Sequence, residues 1–371
     1  MISVFGSEMS DQEIHAVSKC LESQWIGFGK VVEEFEMSVS QQLGLPDLVM
    51  VDSGSNALYL AIKLLGLPPG TEVILPSLTW ISCANAVRLA GLTPVFADVE
   101  LTSMNVTFET IQPLVTSNTS AIMVVHFAGL PVEIQRIKTL GLPIIEDCAH
   151  AVYSSLDGIP CGILGDIGVF SFDSVKNLAV GEGGGITSND PAMMDLARKL
   201  RYCGIAKSGF DSINDSRAQE KMWWEYELEE PFIKMLPTNI AASIGLVQLR
   251  RREELQGRRE KFWNRYSETL GQLTEVKIPS QGRLNSKHSF FTYVIQVEHR
   301  NQLAQYLLAN GVYTTLRYFP LHNYTHFGKS KNQLPNTLTL SNNALSIPLH
   351  PRLQDSDIEL IVNLISKFKS S

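Results

Sequence analysis

The chain lacks the cysteine usage of a disulfide scaffold or a zinc module. Its five cysteines, Cys20, Cys83, Cys148, Cys161 and Cys203, are scattered through 371 residues, odd in number and free of any CxxC pair. Their spacing therefore indicates neither a disulfide framework nor a metal site. Also absent is an apolar run near the roughly 18 residues that cross a bilayer. The opening MISVFGSEMSDQEIHAV carries acids where a signal peptide needs a basic start and an apolar core. Basic excess is missing too, since 31 Lys and Arg stand against 38 Asp and Glu for a formal charge of −7. Such a surface has no general attraction for nucleic acid or anionic lipid, so an anionic ligand needs a local site. There is no internal repeat and no low-complexity linker. These absences predict a soluble, cytoplasmic protein with no nucleic-acid or membrane partner.

What is present is an alternating pattern. Between about 48 and 189 run short apolar segments: LVMV (48–51), EVILP (72–76), PVFADV (94–99), AIMVVHF (121–127), PIIED (143–147) and VFSF (169–172). Stretches of helical period separate several of them, such as NALYLAIKLLG and VEIQRIKTLG. Uninterrupted β-rich runs alternating with helices predict an α/β fold, a mainly parallel sheet covered on both faces. Ligands in such sheets sit beyond the carboxyl ends of the strands. From Thr238 the pattern changes to one long or barely broken amphipathic helix, NIAASIGLVQLRRREELQGRREKFWNRYSETL. Its arginines, 250–252 with 258 and 259, are interleaved with glutamates and read as a solvated face of charge pairs. FFTYVIQV, NQLAQYLLANG, VYTTLRYF and DSDIELIVNLISKF then predict a smaller α+β region. At about 100–200 residues per domain, the expectation is a large domain at 1–250 and a small one at 251–371. The first 30 residues carry a helix that can pack on either.

Four groups of residues fall where an α/β site belongs. In DSGSNAL, directly after the LVMV strand, Gly54 allows close backbone approach, and Ser53, Ser55 and Asn56 open a helix. A helix start is a natural phosphate site, and the same residues would serve an ordinary N-cap. In EDCAHA, Asp147 ends a strand and His150 follows. No further ligand completes a metal site there, and the aspartate can pair with a cation or cap a helix. Lys176 lies 29 residues after Asp147, delivered by the FSF strand, preceded by Ser171 and followed by Gly181 to Gly185. Most lysines are surface residues, but a desolvated one has a lowered pKa and can form a Schiff base with an aldehyde. Trp80 follows the EVILP strand and can be core or stack on a planar ligand. A phosphate-holding helix start, an aromatic platform, a strand-end aspartate and a strand-end lysine together make the set that pyridoxal 5′-phosphate (PLP) requires.

The motifs SGSNALYLAI, PSLTWISCANAV, PVFADV, PIIEDCAHA, GDIGVFSFDSVKNLAVGEGGGI, TNIAASIGLVQL and YFPLH resemble the DegT/DnrJ/EryC1/StrS family of PLP-dependent sugar aminotransferases. The resemblance implies a fold-type-I PLP transferase, with a large doubly wound domain, a small C-terminal domain and a homodimer with shared active sites. It implies Lys176 as the Schiff-base lysine and Asp147 as partner of the pyridine nitrogen. Gly54, Ser55 and Ser171 would hold the phosphate, Trp80 would stack on the ring, and His150 would stand near the phenolic oxygen. Where the family usually reads Asn-Tyr-Arg-Met, this chain reads KMLP, putting Lys234 at the position whose Asn reaches the other subunit's phosphate. Many relatives carry a His before Tyr-X-Pro, and here Arg317 precedes Tyr318. Arg317, Tyr318 and His322 are the implied sugar contacts. The implied reaction is ping-pong, with L-glutamate as donor and a nucleotide-linked keto-deoxysugar, foremost a dTDP-4-keto-6-deoxyhexose, as acceptor. The same chemistry on a 3-keto sugar or keto-cyclitol is the nearer alternative, and a regulatory protein that kept the fold is the other.

Overall fold

The computed structural model of the chain describes residues 1–207, 222, 224–327 and 333–369. Its main sheet has seven strands: β1 (Val49–Val51), β2 (Glu72–Pro76), β3 (Thr93–Ala97), β4 (Thr119–Val125), β5 (Ile144–Asp147), β6 (Ile167–Ser171) and β7 (Gly184–Thr187). They lie in the order β1-β7-β6-β5-β4-β2-β3. Neighbours from β6 to β3 are parallel, while β7 runs antiparallel to both β1 and β6. This is the mainly parallel α/β sheet that the apolar runs predict, in the doubly wound form that the resemblance implies.

Those runs are uninterrupted because both faces of the sheet are covered. Along β4, Ile122 and Val124 belong to one core, and Ala121, Met123 and Val125 to another. Successive side chains of a strand point to opposite faces, so the alternation marks two layers. The first takes Val32, Phe35 and Val39 from α2 (Lys30–Leu43). The second takes Ala57, Leu60 and Ala61 from α3 (Gly54–Leu64) and Cys83, Ala84 and Val87 from α4 (Ile81–Leu89). A third core surrounds the antiparallel strands Tyr293–Gln296 and Ala344–Ile347, and all of its buried residues come from Phe262 onward. The long or barely broken helix is two, Asn239–Arg250 and Arg252–Leu270, broken at Arg251. We propose that the division between large and small domains falls at this break. The first residues touch both sides of it: Ile2 bridges to Val312, while Glu8 and Glu13 pair with Arg251.

Two details differ from the sequence reading. The arginine run is not a wholly solvated face, because Arg251 and Arg259 are buried. Arg251 meets Glu8, Glu13 and Glu254, and Arg259 donates to the carbonyls of Phe291 and Leu349. Helical period marks a helix's apolar stripe but does not show that neighbouring layers also bury part of its polar side. The VYTTLRYF stretch makes isolated bridges at Val312 and Thr315 rather than a strand.

Candidate active site

The site lies beyond the carboxyl ends of β1, β2, β5 and β6, in a cavity of about 460 Å³, within the range of small-ligand pockets. Its floor is made by two helix starts. Ser53 caps α3, its Oγ accepting from the Asn56 N–H at 3.2 Å, and the first-turn N–H groups beyond it lack helical partners. Ser55 and Ser82, one on each helix start, join through their hydroxyls at 2.7 Å. Gly54 is needed for the close approach of this turn to β6: a Cβ there would lie 2.8 Å from the Ser171 Cβ and 3.0 Å from its Oγ. The result is a cup lined by Ser53, Gly54, Ser55, Ser82 and Ser171, with hydroxyls and a helix start suited to a phosphate.

Asp147 ends β5 with its side chain in the cavity wall and is buried. One carboxylate oxygen accepts from the Ala149 N–H at 2.9 Å, and the other accepts from the Cys83 thiol at 3.1 Å. Burial and the charge of Asp147 push the Cys83 thiol well above its ordinary range, so it stays a donor. Glu146, its sequence neighbour, points to the opposite layer. There it accepts from the N–H groups of Gly162 and Gly165 and meets His126 Nε2 at 2.8 Å. The Val132 N–H donates to His126 Nδ1, which fixes the hydrogen on Nε2. His126, Glu146 and Cys161 stand close enough to suggest a metal, but hydrogen bonds already engage the histidine and the carboxylate.

Lys176 follows β6 through a turn held by its own N–H to the Asp173 carbonyl at 2.9 Å. The half-buried amine stands 4.8 Å from the centroid of the Phe291 ring. Loss of hydration, then the charge of Arg317, lower its pKa to about 8, against the raising influence of Asp147 and Asp173. His150 is buried, stacks on Phe291 at 4.1 Å and meets the Tyr318 hydroxyl at 2.8 Å through Nε2. Burial, then Lys176 and Arg317, hold the imidazole neutral, and its Nδ1 has no partner among the described residues. Trp80, at the start of α4, stays 56% exposed on the cavity wall with its ring 5.6 Å from that of Tyr318.

Gly54, Ser55, Trp80, Asp147, His150, Ser171, Lys176, Arg317 and Tyr318 thus line one cavity. His322 and Lys234 do not line it. His322 is held by Ser77 at the end of β2, Nδ1 to Oγ at 2.7 Å, and Lys234 is exposed and bridged to Tyr202. The wall also contains Phe5, Ser82, Asp173 and Glu182, which no motif singled out. Phe5 and Phe291 come from remote parts of the chain, and nothing local in the sequence marks them as neighbours of Lys176. The SCANAV helix start does carry Ser82, in the cup, and Cys83, on Asp147, a signal that was readable.

A buried carboxylate, a desolvated amine and a serine-lined helix start thus meet at the strand ends. The DegT/DnrJ/EryC1/StrS aminotransferase family matches residues 7–366. The chain belongs to that family. A curated relative of this aminotransferase is dTDP-4-dehydro-2,3,6-trideoxy-D-glucose 4-aminotransferase of Saccharopolyspora spinosa, 33% identical over 99% of this chain and 96% of that one. Another is UDP-4-amino-4-deoxy-L-arabinose–oxoglutarate aminotransferase of Shewanella sediminis, 32% identical over 97% of this chain and 96% of that one. Among solved structures, the PMP form of Spr1654 from Streptococcus pneumoniae superposes with a TM-score of 0.91 at 26% identity, each chain covered to 98%. No described helix of the aminotransferase is long and apolar enough to cross a membrane.

Proposed function

We propose that this aminotransferase moves an amino group from L-glutamate to a nucleotide-linked keto-deoxysugar, foremost a dTDP-4-keto-6-deoxyhexose, with PLP as cofactor. The observation that carries the reading is the pairing of a half-buried amine, its pKa lowered to about 8, with a buried carboxylate across a serine-lined cup. The residues fit the cofactor. The close seat of Gly54 against Ser171 brings the α3 start up to the serine hydroxyls, Asp147 offers a fixed anion, and the orphaned His150 Nδ1 offers a buried polar atom. Relatives support it as well, one acting on a dTDP-keto-sugar, one named for oxoglutarate and one solved with PMP.

When bound, PLP supplies an aldehyde that can take up the donor's amine and a ring that can draw electrons from its α-carbon. Ser55 and Ser171, with Gly54 between the strand ends, would hold the phosphate, and Trp80 would cover the ring. Asp147, held by Ala149 and Cys83, would keep the ring nitrogen protonated. Lys176 would hold the aldehyde and, once displaced by the donor, carry the proton from the donor's α-carbon as a general base. Its lowered pKa puts much of the amine in the neutral form near pH 8, which that step needs. Tyr318 and Arg317 would meet the incoming substrate. A second copy of the chain would complete the phosphate site with Lys234, exposed here and absent from its own cavity wall.

The test is direct. Borohydride treatment of PLP-loaded protein should leave a pyridoxyl mass on the peptide carrying Lys176, and Lys176→Ala should abolish it. A panel of nucleotide-linked keto-sugars supplied with glutamate should yield an amine on a 4-keto-6-deoxyhexose. The reading fails if no adduct forms at Lys176, or if no keto-sugar is aminated.

A further inference from the structure

Arg317 is an unusual group in this cavity. It is only 6% exposed, yet no carboxylate pairs with it among the described residues. Its guanidinium carbon stands 4.6 Å from the ring centroid of Phe5 and 4.6 Å from that of Phe291. Its recorded hydrogen bond is a long one, Nη1 to the Tyr318 hydroxyl at 3.4 Å, and Nε has no partner. A buried cation without a counter-charge is costly unless something supplies one. Arginine does not shed its proton to escape that cost. Aromatic contacts stabilise the face of a guanidinium but leave its hydrogen-bonding edge unsatisfied.

We infer that Arg317 is a carboxylate receptor, binding a planar oxyanion through its edge while Phe5 and Phe291 hold the fork in place. This rests on the aminotransferase reading and narrows it. A carboxylate matches the planar fork in a bidentate way, and a sugar hydroxyl cannot neutralise the charge. Phosphate has its own cup at the α3 start, built from hydroxyls and a helix terminus. The position beside Lys176 points to the donor's carboxylate first, because the Lys176 amine stands 4.8 Å from the same Phe291 ring. An acidic acceptor, a keto-hexuronate on a nucleotide, would present the same chemistry. A histidine at this position would lack both the permanent charge and the two-pronged edge of a guanidinium.

The experiment uses the PLP-loaded protein and three variants, Arg317→Gln, Arg317→Lys and Arg317→His. Glutarate, a dicarboxylate with neither amine nor ketone, is titrated calorimetrically into each. Loss of a charge-assisted bidentate contact corresponds to roughly a ten- to hundredfold weakening. Glutarate should weaken by that factor in Arg317→Gln and Arg317→His, and less in Arg317→Lys. The glutamate half-reaction should follow with a raised concentration dependence. A nucleotide-linked keto-deoxyhexose with no carboxylate on its sugar should lose less affinity in the same variants than glutarate does. If glutarate binding holds and only a nucleotide-linked hexuronate weakens, the carboxylate is the acceptor's. If neither moves more than threefold in variants that melt as the wild type does, the inference is overturned. Should Arg317→Gln fail to fold, Arg317→Lys carries the comparison. Should the protein take up no PLP, the glutarate titration of the chain as purified still tests Arg317, and the two failures separate.

Discussion

Lys176 pays for its position in lost hydration, and this makes its protonation visible in stability. Its folded pKa, about 8, lies below the ordinary 10.5, so between those values the unfolded chain binds a proton that the folded chain does not. Stability then rises with pH across that window, and the penalty is fully present below pH 8. We predict that the thermal midpoint of the cofactor-free protein, compared with that of Lys176→Met, gains on it between about pH 8 and pH 10.5. A difference flat with pH would contradict the desolvated amine. At this scale Lys176, Asp147 and His150 could be read from sequence, because a strand end followed by Asp, His or Lys is a local pattern. Arg317 could be named but not understood, since its burial between Phe5 and Phe291 depends on chain segments hundreds of residues apart.

The helix α3 and the strand β6 meet with no space to spare. Gly54 has room for hydrogen and nothing more, and an added methyl would press on the Cβ of Ser171. Gly54→Ala should cost about 1–3 kcal/mol, as overpacking does, and should weaken PLP binding more than tenfold by opening the cup. Denaturant melts and cofactor titration measure the two effects; a variant with native stability and native PLP affinity would show that the cup is more pliable than this geometry allows. The sheet elements were legible because parallel strands buried on both faces leave unbroken apolar runs. The break at Arg251 was legible only as one long or barely broken helix, since Arg250, Arg251 and Arg252 are all good helix formers. At the break the buried Arg251 side chain is taken up by acids from the N-terminal segment.

Across the whole molecule, that same arginine ties the chain's beginning to the junction of its cores. Glu13 is buried, caps Ser10 at the start of α1 (Asp11–Glu22) and accepts from Arg251 and Gln248. Burial alone would raise its pKa, and hydrogen bonds from Ser10, Gln248 and Arg251 outweigh that and lower it. A carboxylate lowered in the folded state contributes stability above its unfolded pKa, and the contribution is lost as pH falls through the folded value. Glu13→Gln should therefore cost about 3 kcal/mol at neutral pH, in the range for breaking a buried pair. The loss should shrink in acid, where the wild type also gives up the charge. Melts in a series from pH 7 into strong acid, past both the unfolded and the lowered folded value, check both parts, and a loss that stays equal throughout would contradict them. This tie joins residues some 240 positions apart in the chain, which no local pattern announces.

Glu146 and Asp147 are adjacent in sequence and turned to opposite sides of one strand. Alternation leaves no halfway alignment, so a slip of β5 by a single residue would exchange them. The carboxylate meant for two glycine amides and an imidazole would then face the cavity, and the cavity's own anion would be sealed into the wall. The strand's pairing with β4 and β6 therefore decides more than architecture: it determines which of two identical charges meets the incoming molecule.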